Sequence, residues 1–332
     1  MKILILGQGR IGQALRFFFK RTCAKVSVLF LEKDAQAKDA DILIGALPGE
    51  FGRKSLELAL LYRKNLIDLT DLDPDEFYLK KKSQIEKEGI IVIPGCGFSP
   101  GLTNLILGKE LFANRDIHKI EVKAGSLSPK LFYFPFLWCF EDLIWEHNHG
   151  SFQKIGGEKV GYPAFGAKRN EKFYNIDAET YFTASGFEQI FSKKQIKDLS
   201  FRVIRPKGFY YFYQYMNNYG LLSRKNIKLT QEIVQQTIED NITLSQIILA
   251  SRNRRICWDI KSASRKKDAL NSMQKITALF AVSIARLILS GNIKNKGLVF
   301  CEDLADQKET FNQAINFMKE NRILIKRTVR GI

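Results

Sequence analysis

The feature that most limits what this chain can fold into is its opening, "MKILILGQGRIGQAL". The apolar run Ile3–Leu6 leads directly into G-x-G-x-x-G, from Gly7 through Gly9 to Gly12, and a helical pattern follows. Each glycine has a separate mechanical task in a turn of this kind. Gly7 permits the tight bend, Gly9 lets backbone approach a pyrophosphate, and Gly12 lets the helix pack on the strand. The helix N-terminus, at Arg10 and Ile11, adds backbone N–H donors and the positive end of the helix dipole. Gly7, Gly9, Arg10, Ile11 and Gly12 are therefore candidate residues for binding NAD or NADP.

Further apolar runs continue the pattern: "DILIGAL" (41–47), "NLIDL" (65–69) and "GIIVI" (89–93), with helical segments between them. Strands alternating with helices predict βαβ crossovers and a parallel sheet. One interval is short. "KVSVLFL" (25–31) reads as the second strand, yet only Glu32 to Ala40 separate it from the strand that opens at Asp41. A crossover with its own helix needs a dozen or more residues. An extended return of about 30 Å fits instead, so the adenine-binding half is expected to lack a helix and a strand.

Ligands of open parallel sheets bind beyond the carboxyl ends of the strands. Here those ends carry the glycine turn, then Leu47, Pro48 and Gly49, then Asp68 to Asp71, then "PGCGFSPG" (94–101). Leu47, Pro48, Gly49 and Asp68 join the cofactor candidates. Glu32, 25 residues after Gly7, stands where an acid bonds a ribose 2′-hydroxyl and favours NAD over NADP. Asp34 is its rival, and a merely solvated acidic pair is the alternative. Ser99 fits a helix N-cap with Pro100 at the first helical position, and that role is favoured over a catalytic serine. The helix end as a whole, with Gly97 and Ser99, would suit a substrate carboxylate. Cys96 beside it reads as a small packing residue.

Composition narrows the function classes. The chain has 332 residues, enough for more than one core, and 52 Lys and Arg against 35 Asp and Glu give a net charge of +17. The basic residues are scattered, so anionic cofactors and substrates suit them as well as nucleic acid does, and nucleic acid is not the favoured partner. The cysteines and the three histidines show no metal-ligand or disulfide spacing, and no metal is expected. "ITALFAVSIARLIL" (276–289) is too short to span a bilayer. Neither a signal peptide nor a membrane partner is expected, and the location expected is the cytoplasm.

From about Ile120 the texture changes to dense aromatics, "LFYFPFLWCF" (131–140) and "GFYYFYQYM" (208–216), read as a half-buried sheet. "ETFNQAINFMKENRILIKR" (309–327) reads as an amphipathic terminal helix.

"GALPGEFGRKSLELAL", "NLIDLTDLD" and "IVIPGCGFSPGLTNLI", in this order, resemble the saccharopine dehydrogenase-like proteins, closest in pattern to the lysine 6-dehydrogenase branch. The likeness continues through "AGSLSP" (124–129), "EDLIWEHNHG" (141–150), "AETYFTASGFEQI" (178–190), "FRVIRPKGFYYF" (201–212) and "TALFAVSIARLILSGNIKNKGLVFCED" (277–303). It implies an α/β fold: a Rossmann domain over 1–120, an inserted α+β mixed-sheet substrate and dimerisation domain over 121–270, and C-terminal helices returning over 271–332. The implied activity is NAD(P)-dependent oxidation or reduction at an amine-bearing carbon of an amino acid or polyamine-like substrate, and the expected assembly is a homodimer. A catalytically inactive nucleotide-binding or regulatory homologue is the alternative.

The pattern also departs from the family. Saccharopine-forming members have an aspartate where Ser99 stands, a tyrosine near Asp71 and a cysteine at Ala124. Their P-G-H histidine corresponds to Phe209, and the tyrosine of E-Y-x-N-P to His147. Saccharopine itself is thus not the expected substrate. Lysine-oxidising members also lack that aspartate, which leaves a lysine-like amine. Asp71 is the candidate for handling the amine proton, or else a solvated acid among Asp68, Asp73 and Asp75. Glu146 and His147 are further catalytic candidates. Arg205 is a candidate carboxylate clamp or a structural ion-pair partner.

Overall fold

Ile3, Leu4, Ile5 and Leu6 are all fully buried, because their strand lies inside a parallel sheet covered on both faces. The computed structural model describes residues 1–23, 25–70, 77–131, 133–135, 137, 139–183, 186–236 and 239–331. The chain divides into two units. Unit 1 is Met1–Arg115, Gly186–Glu188 and Gln274–Arg322; unit 2 is Asp116–Ser185, Gln189–Met273 and Ile323–Ile332.

Unit 1 begins with β1 (Lys2–Leu6), α1 (Arg10–Thr22), β2 (Ser27–Phe30), β3 (Ile42–Gly45), α2 (Arg53–Tyr62), β4 (Asn65–Asp68), α3 (Lys82–Glu88), β5 (Ile91–Ile93) and α4 (Leu102–Ala113). The strands lie side by side in the order β5-β4-β3-β1-β2, all parallel, with Ile3 opposite both Val28 and Ile42. Leu4 and Leu6 pack with Leu43, Leu56, Leu66, Ile85 and Val92 on one face. The two-residue period of the strand turns Ile3 and Ile5 to the other. Burying each such side chain contributes about 1.5–3 kcal/mol.

The short interval after β2 is built differently from the extended return expected. Asp34–Asp39 forms a six-residue 3-10 helix. At about 2.0 Å per residue it climbs roughly 12 Å, close to the length of the four-residue strand it must pass. The chain then crosses β1 and starts β3, leaving β2 at the sheet edge with no strand beyond it among the described residues. The Rossmann-type sheet is therefore trimmed in its adenine half.

Unit 2 holds β6 (Lys119–Leu127), α5 (Phe140–Asn148), β7 (Ser151–Ile155), β8 (Glu158–Tyr162), β9 (Arg169–Phe173) and β10 (Ile176–Phe182). After α6 (Glu188–Phe191) come β11 (Asp198–Pro206), α7 (Phe209–Asn218), α8 (Ile227–Gln236), β12 (Asn241–Ala250) and β13 (Arg254–Ser264). Next, α9 (Ser272–Leu289) leads back to unit 1, which gains β14 (Gly297–Leu298) beside β5 and α10 (Lys308–Glu320). Finally β15 (Leu324–Gly331) pairs with β13 in unit 2. The sheet of unit 2 is mixed: β6 and β11 are parallel, and the other pairs are antiparallel.

Several expectations are corrected here. "GFYYFYQYM" is the helix α7 and not a strand. Gly208, at φ 89, breaks the preceding strand, and the buried carboxylate of Glu179 accepts the N–H groups of Gly208 and Tyr210 at the new helix N-terminus. The described residues of 131–139 form no strand. The terminal amphipathic helix stops at Glu320, and "LIKRTVRG" continues as the edge strand β15. At 18 residues, α9 is long and apolar enough to cross a membrane, but 72% of it is buried, as in a core helix.

Candidate functional site

In unit 1 the three glycines of the opening turn differ in what surrounds them. Gly7 has φ 115, and a Cβ there would lie 2.2 Å from the Ala46 carbonyl oxygen. A Cβ on Gly12 would lie 2.0 Å from the Gly7 carbonyl oxygen. Neither position accepts a side chain, so these two glycines bind the turn tightly to its own fold. Gly9 is different: a Cβ there meets nothing within 4 Å. It is exposed and caps α1, and its carbonyl accepts the N–H of Gln13 at 3.0 Å. No acid stands in the first turn of α1, which starts at Arg10 and Ile11, both half-buried. An open glycine at a helix N-terminus whose first turn carries no acid forms a cradle that fits a pyrophosphate.

At the trimmed side, Glu32 is exposed just past β2. The backbone N–H groups of Glu32 and Lys33 both donate to Gln36 Oε1, at 2.8 and 3.1 Å, which tightens the turn into the 3-10 helix. Asp34, the rival acid, pairs with Lys54 at 2.8 Å. Leu47, Pro48 and Gly49, past the end of β3, are half-buried.

Asp68 is placed differently from its reading as an open strand-end acid. It is fully buried. Its carboxylate accepts the Thr70 N–H at 2.9 Å, the Thr70 hydroxyl, and the Tyr78 hydroxyl at 2.6 Å. Burial raises the Asp68 carboxyl above its ordinary range, and these hydrogen bonds pull in the opposite direction. A Cβ on Gly45 would sit 2.3 Å from Asp68 Oδ1, so the neighbouring strand needs glycine to admit the acid. Asp68 thus holds the end of β4 from beneath and presents no carboxylate to a ligand. Asp71 lies outside the described residues.

The turn before α4 also departs from expectation. Ser99 is not the N-cap: α4 starts at Leu102, capped by Gly101 at φ 129. The Gly101 N–H donates to Asn104 Oδ1 at 3.1 Å, and the Ser99 hydroxyl accepts from Thr103 Oγ1 at 3.1 Å. Gly97 spends both backbone groups inside the turn: its N–H goes to Pro100 O at 3.1 Å, and its carbonyl accepts from Leu102 at 3.0 Å. Gly97 therefore shapes the turn with both of its backbone groups. Cys96 is fully buried, as its packing role requires.

In unit 2, Glu146, His147 and Arg205 do come together, but in a buried cluster. Arg205 donates from Nη2 to Glu146 Oε2 at 2.7 Å and is 1% exposed. Loss of solvent raises the Glu146 carboxyl, although the Arg205 charge opposes that shift. His147 is 2% exposed. Its Nδ1 lies 2.7 Å from the Leu143 carbonyl oxygen, which can only accept, so Nδ1 carries the proton. Nε2 is then the acceptor for the Tyr181 hydroxyl at 3.3 Å. Phe165, Tyr181, Phe209 and Tyr213 pack around the ring. Burial, and then the Arg205 charge, hold the imidazole well below its ordinary pKa, so it is neutral. Both ring nitrogens are occupied, and the Arg205 guanidinium donates to Glu146 and to the Ile204 carbonyl oxygen. The cluster as it stands orders α5 against β10, β11 and α7.

The sequence did not point to Tyr78, Tyr181, Tyr213 or Glu179 as partners in these clusters. Only the Asp68–Thr70 pair had a local signal, the i, i+2 spacing of an Asx turn. Among the described residues no group of three or more His, Cys, Asp or Glu side chains is arranged to hold a metal.

No known family profile matches the chain, and no curated protein does either. In solved structures the chain is similar to apo saccharopine dehydrogenase (L-Glu forming) from Saccharomyces cerevisiae. The TM-score is 0.79, with 12% identity over 99% of each chain. A probable dehydrogenase from Thermotoga maritima gives a TM-score of 0.47 and 10% identity over 98% of each chain. An oxidoreductase from Agrobacterium radiobacter, solved with NAD+, L-tartaric acid and magnesium, gives 0.42 and 10% over 98% of each chain. At these identities the likeness is one of fold.

Proposed function

We propose that this chain is an NAD(P)-dependent oxidoreductase of the saccharopine dehydrogenase-like type, acting on an amine-bearing carbon of an amino acid or polyamine-like substrate. The observation that carries the reading is the open Gly9 between two tightly enclosed glycines, at the mouth of α1. The whole-chain likeness in fold to a saccharopine dehydrogenase supports it. In this reading the Gly7–Gly12 turn and the first N–H groups of α1 hold the pyrophosphate, and Leu47–Gly49 border it. Glu32 bonds the adenosine ribose and favours NAD over NADP. The chemistry such a cofactor supplies when bound is hydride exchange at carbon. Asp71 remains the proposed group for the amine proton. Glu146, His147 and Arg205 are proposed as positioning residues, since Arg205 is paired with Glu146 and both ring nitrogens of His147 are hydrogen-bonded within unit 2. A cytoplasmic homodimer, with a cofactor domain over 1–120 and a substrate and dimerisation domain over 121–270, belongs to the same proposal.

The test is a fluorescence titration of purified protein with NADH and with NADPH. NADH binding tighter than NADPH is expected, and no binding of either at millimolar cofactor would refute the reading.

One observation favours a second reading, a nucleotide-binding homologue without catalysis: the three unit 2 candidates are locked into a buried cluster. Cofactor binding without turnover of lysine, ornithine, polyamines or opine-type adducts would select it. Turnover removed by Asp71→Ala would select the enzyme.

A further inference from the structure

α7 carries aromatic side chains on its outer side as well as its inner one. Its inner side, Phe209, Tyr213 and Met216, is buried in unit 2. Its outer side carries Tyr211, Phe212 and Tyr215, exposed by 61%, 42% and 66%, and Tyr219 just beyond it by 78%. The apolar surface continues past the turn. Thr230 Oγ1 donates to the Leu221 carbonyl at 2.7 Å and Asn226 Nδ2 to the Gly220 carbonyl at 2.9 Å, which ties the start of α8 to the end of α7. Leu221 is 43% exposed, and on α8 Leu229 and Ile233, one turn apart, are 60% and 59% exposed. Single exposed apolar residues need no explanation, but seven on two helices and the turn that joins them form a surface that water disfavours.

The charges on this surface identify what would cover it. Arg224, Lys225 and Lys228 are exposed in the turn and on α8, Lys207 precedes α7, and Glu232 is the lone acid between 207 and 233. A second copy of the chain would bring the same cations toward one another, and lysine is disfavoured at the centre of protein interfaces. Single-stranded nucleic acid would use the cations and the tyrosine rings, but Leu221, Leu229 and Ile233 offer a base nothing to stack on. An anionic bilayer uses every part of the surface. Aliphatic side chains enter the acyl boundary, tyrosines sit at the headgroup level, and Lys and Arg meet lipid phosphates.

We propose that the outer face of α7 and α8 docks peripherally on an anionic lipid bilayer, with Leu229 and Ile233 inserted and Tyr211, Tyr215 and Tyr219 at the headgroup level. This departs from the expectation that no membrane is involved, which rested on spanning segments alone. It is independent of the cofactor site.

The full chain is sedimented with phosphatidylcholine vesicles and with vesicles containing phosphatidylglycerol, at low and high salt. Binding to the anionic vesicles only, weakened by salt, is expected. The double variants Lys225→Glu/Lys228→Glu and Tyr215→Ser/Ile233→Ser should each weaken it by about tenfold or more. All these residues are exposed, and unchanged thermal melts would show that the variants fold. No binding to anionic vesicles at low salt, or binding equal in parent and folded variants, overturns the proposal. So does light scattering that shows a dimer split by the same variants. Tighter binding to a single-stranded oligonucleotide than to vesicles, lost in the same variants, overturns it in favour of nucleic acid.

Discussion

The contrast between Gly9 and Gly12 yields the sharpest prediction. In Gly12→Ala the new methyl falls 2.0 Å from the Gly7 carbonyl oxygen, which is backbone and cannot swing aside. Either α1 moves off the strand or the turn opens, and overpacking of this kind costs about 1–3 kcal/mol. In Gly9→Ala the methyl meets nothing within 4 Å, and the backbone angle, φ −68, is ordinary for alanine. Replacing a glycine N-cap by alanine should therefore cost the fold only about 0.5–1 kcal/mol. The same methyl would nevertheless occupy the space a pyrophosphate needs, pushing it away from the N–H groups of α1. Losing one such charge-assisted hydrogen bond costs about 1.5–3 kcal/mol, or roughly 10- to 150-fold in affinity. The assay pairs thermal unfolding with NADH fluorescence titration. Gly9→Ala should melt only slightly below the parent and bind NADH at least tenfold more weakly, whereas Gly12→Ala should lose both. If Gly9→Ala binds NADH as the parent does, the turn does not hold the pyrophosphate and the proposed cofactor site is wrong.

Three further predictions concern the buried clusters. Tyr78→Phe removes the hydroxyl donor to Asp68 Oδ2 and should destabilise unit 1 by about 1–3 kcal/mol; an unchanged urea midpoint would show that Asp68 does not depend on it. Glu146→Ala strips the buried Arg205 guanidinium of its carboxylate at 2.7 Å and should cost about 3–5 kcal/mol; a loss below about 1 kcal/mol would mean that the guanidinium reaches solvent. His147 should make the protein acid-sensitive. Its folded pKa lies well below 6.5, so as pH falls through 6.5 the unfolded chain takes up a proton that the folded chain does not. Stability then falls by about 1.4 kcal/mol for each pH unit until the folded value is reached. Glu146 acts in the opposite sense: its folded pKa is raised, so its contribution declines as pH rises from 4.5 toward that folded value. Urea melts across this range should show a smaller acid loss in His147→Phe than in the parent, and equal losses would remove His147 as the cause.

Much of unit 1 was legible in the sequence because its determinants are local. Continuous apolar runs such as "ILIL" and "DILIGAL" can be satisfied only by strands buried on both faces, and the helices between them leave the sheet no choice but to be parallel. The short stretch after β2 could not hold a helix and a strand, so the sheet had to be trimmed, although the form of the return, a 3-10 helix, depended on the Gln36 side chain bonding back to Glu32 and Lys33. The reading of 309–327 went astray because "ILIKRTV" has strand periodicity attached to a helical segment, and only pairing with β13 brings that periodicity into play.

The functional side chains were less legible. Asp68, Glu146, His147 and Arg205 were chosen by residue type and position, but their roles depend on partners 10 to 59 residues away: Tyr78 for Asp68, Tyr181 for His147, and Arg205 for Glu146. No local pattern reports whether a carboxylate faces a cleft or a core.

What the sequence by itself determined is the parallel sheet, its glycine turn and its missing half, because strand period and backbone sterics act over a few residues. The tertiary structure alone decided which acids are buried, and that "GFYYFYQYM" becomes a helix. Its N-terminus is capped by Glu179, which lies 29 residues from Gly208. Burial and capping are set by whatever the rest of the fold brings alongside, and that information is not carried by the segment itself.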